Sequence, residues 1–393
     1  MKIPESLRRR LENRLDQIRH AGQFRALRSP QGVDLSSNDY LGLARDRRVV
    51  EALAKGAQEL GVGSTGSRLL RGERCETSAL ERRFADFKGA ERSLYFSSGY
   101  LANLAVLATL PEAGDVIFSD RFNHTSIIDG VRASKADRVI FPHNDVAALD
   151  RMLAERGAQQ TTPQRPEGAR FVVVESLYSM EGDFAPLPEF AEVCTKHQAA
   201  LIVDEAHAVG VYGERGSGRL EETGAEALVS INTAGKALGV AGAFVAGDAL
   251  VIENLLQRAR TLIFSTAAPP ALMTALGASL DVIAAEPDRR RCLRELASWF
   301  RSQLRESGIP VAQSDSPIVP IVIGDNDRTV ALADALQAEG FDVRAIRPPT
   351  VPAGTARLRV SLHVNLDRQI LERFLDALTR HWKKALNMGG EHR

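Results

Sequence analysis

Two short runs, residues 171–174 (FVVV) and 201–203 (LIV), are apolar at every position. A strand with one wet face alternates apolar and polar residues. A strand that is apolar throughout must be covered on both faces, as in a parallel sheet sandwiched between helix layers. The stretch from Val172 to Asp204 has the length of one strand–helix–strand unit. Further short apolar runs lie at 94–96, 116–118, 139–141, 229–232 and 243–246, mostly separated by segments of helical length. This pattern predicts an α/β domain over residues 47–277, doubly wound around a mostly parallel sheet.

The flanks read differently. Leu7, Leu11, Leu15 and Ile18 recur among charges at helical spacing, so residues 1–46 form an arm whose helix is expected to pack one apolar stripe. Helices are expected over 47–60 and from Thr77 to Lys88. After Glu286 come a charged helix (287–305), a strand (318–323), a helix (328–339), strands at 342–346 and 357–362, and a helix from Asp367 to Lys383. Residues 278–393 are therefore expected to be a smaller α+β domain. Residues 161–168 (TTPQRPEG) read as a surface loop.

Charge excludes some functions. Lys plus Arg and Asp plus Glu each total 50, so neither a phosphate backbone nor an anionic membrane attracts this chain over long range. Cys75, Cys194 and Cys292 are scattered and odd in number, which excludes a disulfide framework and a CxxC metal site. The charged first residues lack a signal peptide's apolar core. No stretch approaches the roughly 18 apolar residues of a membrane span. The expectation is a cytoplasmic protein with no metal, nucleic acid or membrane partner.

Two motifs are weaker than they look. Gly61, Gly63 and Gly66 spell GxGxxG, but a helix rather than a strand runs into them, contrary to the dinucleotide fold. Asp204–His207 spell DEAH, yet the one Gly-Lys pair, Gly235-Lys236, is followed by alanine and lacks the phosphate-cradling loop of a helicase.

Ligands of open α/β sheets bind beyond the carboxyl ends of the strands. Glu175 and Ser179 follow FVVV, Asp204 and His207 follow LIV, and Thr233 and Lys236 follow VSIN. This is the assortment that pyridoxal phosphate (PLP) requires. A lysine amine holds the cofactor as an imine, and a carboxylate keeps the pyridine nitrogen protonated. A donor such as His207 meets the phenolic oxygen. Hydroxyls and backbone N–H groups, from Thr233 and the SSGY at 97–100, take the phosphate. His124, in DRFNHTS, is a candidate to cover the ring. Residue by residue, Asp204 as a helix cap and His124 as a plain loop histidine stay open.

At these positions the chain resembles the α-oxoamine synthase family of fold-type I PLP enzymes. The likeness runs from about Ser36 into the C-terminal domain. It rests on SSNDYLGL (36–43), GSTGSRL (63–69), SSGYLAN (97–103), DEAHAVGVYGERGSG (204–218), TAGK (233–236), FSTAAPP (264–270) and RPPTVPAGTARL (347–358). The last segment is similar to the branch that condenses L-alanine with pimeloyl-CoA or pimeloyl-acyl carrier protein in biotin biosynthesis. That branch yields 8-amino-7-oxononanoate, CO2 and the free thiol carrier. The resemblance implies Lys236, His124, Asp204 and His207 as the catalytic set. It implies cofactor contacts from Gly99, Tyr100, Glu175, Ser179 and Thr233. It places Arg25, Asn38, Arg347 and Thr350 on the substrate side, with His124. It further implies a homodimer in which Ser265 and Thr266 reach the neighbour's phosphate. Thr65 stands where the family often has glycine, and Thr77 where it usually has histidine, both in the region expected to line the acyl-thioester side. Condensation of glycine or serine with another acyl-CoA, and an aminotransferase on the same fold, are the alternative activities.

Overall fold

Along the strand Arg170–Glu175, Phe171 and Val173 pack into one apolar cluster while Val172 and Val174 pack into another. The same split holds for Ile202 against Leu201 and Val203, and for Ile117 against Val116 and Phe118. Successive side chains of a strand point to opposite faces, so a run apolar at every position builds two cores at once. Each fully buried Val, Ile or Phe contributes about 1.5–3 kcal/mol. The structure, a computed structural model, describes residues 3–158 and 168–387. The loop expected at 161–168 lies, apart from Gly168, outside the described residues.

The strands are β1 (Arg92–Phe96), β2 (Val116–Asp120), β3 (Asp137–Phe141), β4 (Arg170–Glu175), β5 (Ala200–Asp204), β6 (Val229–Thr233) and β7 (Ala243–Gly247), in the order β1-β7-β6-β5-β4-β2-β3. β7 is antiparallel to both its neighbours, and all other pairings are parallel. Every strand expected for this sheet is present. Helices Gly99–Thr109, Thr125–Ala133 and Ala249–Arg258 supply one face's core. Helices Val146–Ala158 and Leu187–Lys196 supply the other.

The described chain forms two compact units. The larger is Asn38–Leu293 with His363–Asn365, and the smaller comprises the residues through Ser37, Arg294–Leu362, and those from Leu366 on. These limits differ from the expected cuts after 46 and 277. Helix Ala271–Ala285 stays with the larger unit because it packs on Arg47–Leu60. There the Thr274 hydroxyl donates to the Ala52 carbonyl at 2.8 Å, and a Cβ on Gly56 would meet Thr274 Oγ1 at 2.3 Å, so only glycine permits the approach.

The smaller unit has an antiparallel sheet of Ala345–Ile346, Ala356–Ser361 and Ile318–Gly324, in that order, with helices Asn326–Ala338 and Arg368–Asn387. The single strand expected at 342–346 is two short ones. Phe341–Asp342 pairs with Val33–Asp34 and Ala345–Ile346 with the sheet. A 2.9 Å bond from Val343 N–H to the Phe341 carbonyl turns the chain between them. Helix Glu5–His20 forms as expected, but its stripe is covered only in part, with Leu7 and Ile18 half-buried. None of its residues is buried, and Leu11 and Leu15 are exposed. Among the described residues, no helix is long and apolar enough to cross a membrane.

Candidate active site

Parallel pairing brings three strand ends into line. Glu175 of β4 lies opposite Asp204 of β5, and Asp204 opposite Ile231 of β6, two residues before Thr233. The main chain then continues the sheet: Ser176 N–H donates to the Asp204 carbonyl at 2.9 Å and Glu205 N–H to the Ile231 carbonyl at 2.7 Å. Glu175, Asp204, His207 and Thr233 are all buried at this end.

Lys236 follows β6 in a turn closed by its own carbonyl, which accepts from Gly239 N–H at 2.9 Å. Its Nζ lies 2.8 Å from His207 Nε2. His207 Nδ1 lies 2.6 Å from the Tyr40 hydroxyl, which donates to Asn38 Oδ1 at 3.1 Å. One set of directions serves every contact. A lysine N–H donates to Nε2, Nδ1–H donates to Tyr40, and the phenol hydrogen goes to Asn38.

Asp204 is held from two sides: Ala206 N–H donates to Oδ1 at 2.8 Å and Asn103 Nδ2 to Oδ2 at 2.7 Å. Glu175 differs. Its Oε2 accepts from Ser179 N–H at 3.3 Å, but its buried Oε1 has no hydrogen-bond partner. Burial, reinforced by the Asp204 charge and opposed by Lys236, pushes its carboxyl pKa well up. Two neighbouring carboxyl groups thus sit in unlike surroundings, one braced by donors and one tending to hold its proton.

His124 precedes helix Thr125–Ala133 and accepts from Ser126 N–H through Nδ1 at 3.2 Å, with the Ser126 hydroxyl 2.8 Å from the same nitrogen. The protein around its exposed ring lowers its pKa, Lys236 adding to the effect and Asp204 opposing it. The turn carrying His124 hangs on Asp120, whose carboxylate accepts from the N–H groups of Phe122 and Asn144, each at 2.8 Å. His143 bridges Asp120 (3.0 Å) and Asp183 (2.9 Å). Burial works to lower the His143 pKa, but the two carboxylates outweigh it and raise it to about 10.

Gly99 and Tyr100 open helix Gly99–Thr109, where Ser98 caps by accepting from Leu101 N–H at 3.2 Å. The first N–H groups of a helix have no partner inside it and form an anion-binding end. A Cβ on Gly99 would meet Thr233 Cβ at 3.3 Å and Oγ1 at 3.4 Å, so the glycine keeps that helix start and the threonine hydroxyl together. An amine, a braced buried carboxylate, and a helix start beside a hydroxyl meet the chemical needs of PLP. The residues present fit the group.

Other expected residues lie elsewhere. Ser265 and Thr266 lie in a segment tied to the glycine-rich loop, with Thr266 bridged to Ser67 and Ala267 N–H donating to the Gly66 carbonyl at 2.9 Å. Thr65, in that loop, has φ 58°, an unfavourable left-handed conformation for a β-branched residue. Arg25, Arg347 and Thr350 gather within the smaller unit, lining a cleft of about 370 Å3. Arg25 donates to Thr350 Oγ1 at 3.3 Å, and Arg347 donates to the carbonyls of Gly22 and Phe24.

Tyr40, Asn103 and Ser126 were not singled out from the sequence. Asn103 carried a visible signal, because it is polar in the otherwise apolar helix GYLANLAVLAT. A buried amide in such a setting requires partners. Tyr40 and Ser126 had no comparable signal, since their partners are distant in the chain or set by turn geometry.

The aminotransferase class I and II family matches residues 30–378. An 8-amino-7-oxononanoate synthase of Azoarcus sp. (strain BH72) is 47% identical, over 87% of this chain and 87% of its own length. One from Geobacter sulfurreducens is 42% identical, over 96% and 98% respectively. A solved serine palmitoyltransferase from S. paucimobilis, with bound PLP–myriocin aldimine, superposes with a TM-score of 0.87 at 28% identity, covering 98% of this chain and all of that one.

Proposed function

The chain belongs to the aminotransferase class I and II family, among the 8-amino-7-oxononanoate synthases of biotin biosynthesis, and is a fold-type I PLP-dependent acyltransferase; from that premise we propose that it condenses L-alanine with a pimeloyl thioester of coenzyme A or acyl carrier protein. The new bond joins alanine Cα to the thioester carbonyl carbon, the C–S bond breaks, and CO2 leaves. Reprotonation of Cα then gives 8-amino-7-oxononanoate. The contact between Lys236 Nζ and His207 Nε2, beside Asp204 at the strand ends, is the observation that carries the reading.

When bound, PLP supplies an electron sink that lets a proton or CO2 depart from Cα. Lys236 would anchor the cofactor through Nζ, and its amine would take the Cα proton and later return one. His207, braced by Tyr40, would keep Nζ in place and contact the cofactor. Asp204 keeps the pyridine nitrogen protonated. Gly99, Tyr100 and Thr233 hold the phosphate, Ser179 and Glu175 line the site, and His124 covers the ring. Arg347 grips the alanine carboxylate with two parallel donors. Arg25, Asn38 and Thr350 contact substrate.

The chain acts as a homodimer, with Ser265 and Thr266 reaching the neighbour's phosphate. Exposed apolar residues on the paired loops, Val62, Leu70 and Phe264, support a self-contact there. The site of action is the cytoplasm, a reading supported by the three scattered cysteines, which suit a reducing compartment.

The test incubates the protein with PLP, alanine and pimeloyl thioester and identifies the product by mass. Lys236→Ala should lower turnover at least about a thousandfold and abolish the visible absorbance of the attached cofactor. Retention of both would overturn the role of Lys236. A second reading, serine in place of alanine, draws on the likeness to serine palmitoyltransferase. Serine-dependent but not alanine-dependent thiol release would select it.

A further inference from the structure

A continuous set of hydrogen bonds joins two groups that the sequence treats as separate. Asn103 Nδ2 donates to Asp204 Oδ2 at 2.7 Å and to Ser126 Oγ at 3.0 Å. Ser126 Oγ lies 2.8 Å from His124 Nδ1. The directions follow from the carboxylate. Asp204 accepts only, so the amide nitrogen of Asn103 must face it, and its second hydrogen goes to Ser126. Ser126 Oγ receives that hydrogen and has one of its own, which goes to His124 Nδ1. The Ser126 main-chain N–H points to the same Nδ1 at 3.2 Å. A nitrogen accepting two hydrogen bonds carries no proton, so the imidazole proton sits on Nε2.

We propose that Asn103 is a positioning residue with two clients: it orients the Asp204 carboxylate directly and, through Ser126, holds His124 as the neutral imidazole protonated on Nε2. The inference rests on the reading that Asp204 and His124 engage the cofactor. Asn103 and Ser126 are both buried, so neither can exchange these partners for water. Asn103 Oδ1 has no hydrogen-bond partner, which leaves both Nδ2 bonds as what the amide contributes at this spot. Protonating His124 on Nδ1 would point N–H at the Ser126 N–H and force the Ser126 hydroxyl to turn away. The relay therefore disfavours the imidazolium, in the same sense as the surrounding protein, which lowers the His124 pKa by displacing water.

The experiment reads the His124 tautomer by 15N NMR of the full chain labelled at histidine, with and without PLP, and measures kcat and KM for the amino acid. Wild type should show one tautomer, protonated on Nε2. Ser126→Ala, which removes the shorter of the two donors to Nδ1 and keeps the main-chain N–H, should let a measurable share of the Nδ1-protonated tautomer appear while leaving the Asn103–Asp204 bond. Asn103→Leu should also admit that tautomer and lower kcat about 10- to 100-fold, the range known for outer partners of metal ligands, with KM unchanged. A merely structural amide would not move the tautomer. Mixed tautomers in wild type, or an unmoved tautomer in Ser126→Ala, would overturn the proposal, and the latter variant decides the matter even if Asn103→Leu does not fold. Because the tautomer is also read without cofactor, an inactive wild-type chain with a single tautomer would overturn the functional reading alone.

Discussion

At the carboxyl end of the large sheet Asp204 is buried and takes N–H donors from two directions, whereas Arg347 in the smaller unit is half-buried and spends its guanidinium on two main-chain carbonyls. The first region fixes charge by surrounding it with committed partners. The second keeps its charge near water, where one acceptor can replace another at little cost. A lost partner leaves a buried charge uncompensated, while water repairs an exposed one. Substitutions at the sheet end should therefore cost stability or turnover steeply, and those in the cleft should act mainly on substrate affinity.

The largest effect is expected just behind Asp204. Its chain neighbour Glu205 is fully buried and pairs with Lys88, which also donates to the Ser217 carbonyl, while Leu220 N–H donates to Glu205 at 3.0 Å. Lys88→Met should lower stability by about 3–5 kcal/mol, because it strands the carboxylate. Thermal or urea unfolding checks this. The double variant Lys88→Met/Glu205→Gln should recover much of the loss, and a single variant as stable as wild type would break the contrast between the regions.

His143 offers a pH-dependent version. Its imidazole binds a proton more tightly folded (about 10) than at the ordinary value of 6.5. Its contribution is therefore complete below about pH 6.5 and is lost as pH rises through about 10. Wild-type stability should fall across that window. His143→Gln should be less stable at its lower end and show a flatter slope, read from melting temperatures at several pH values.

How far each region was legible follows from the same physics. The runs FVVV and LIV announced a sheet covered on both faces, because burial on both faces leaves no room for polar alternation. Asp204, His207, Thr233 and Lys236 were legible because strand ends of an open sheet face one side, and register alone brings Asp204 beside Glu175. The partners of those residues were not. Tyr40 reaches His207 from far along the chain, and nothing local in SSNDY marks that contact. The N-terminal stripe misled for the opposite reason. Periodicity shows that Leu11 and Leu15 share a face but not what covers it, and among the described residues both stay exposed while Leu7 and Ile18 are half-buried. The strand expected at 342–346 broke because a one-residue turn at Asp342 leaves no periodic trace.

In the cleft, Arg347→Lys should raise KM for the amino acid about 10- to 100-fold with a smaller change in kcat, from the loss of about 1.5–3 kcal/mol of charge-assisted hydrogen bonding. An ammonium keeps the charge but not the two parallel donors. A fall in kcat with KM unchanged would mean that Arg347 acts on the reacting atoms and would move it into the class of Asp204.

The smallest effect is expected at Arg25. Its bond to Thr350 is long, 3.3 Å, and the residue is exposed, so water competes for both partners. Exposed polar pairs are worth at most about 1 kcal/mol. Arg25→Ala should accordingly leave thermal stability unchanged and raise KM for the thioester or the amino acid by less than about fivefold. Which of the two KM values moves tells which substrate the arm reads. A much larger increase would show that substrate binding buries Arg25, and the cleft would then resemble the sheet end once loaded, its partners committed by the substrate instead of by the fold.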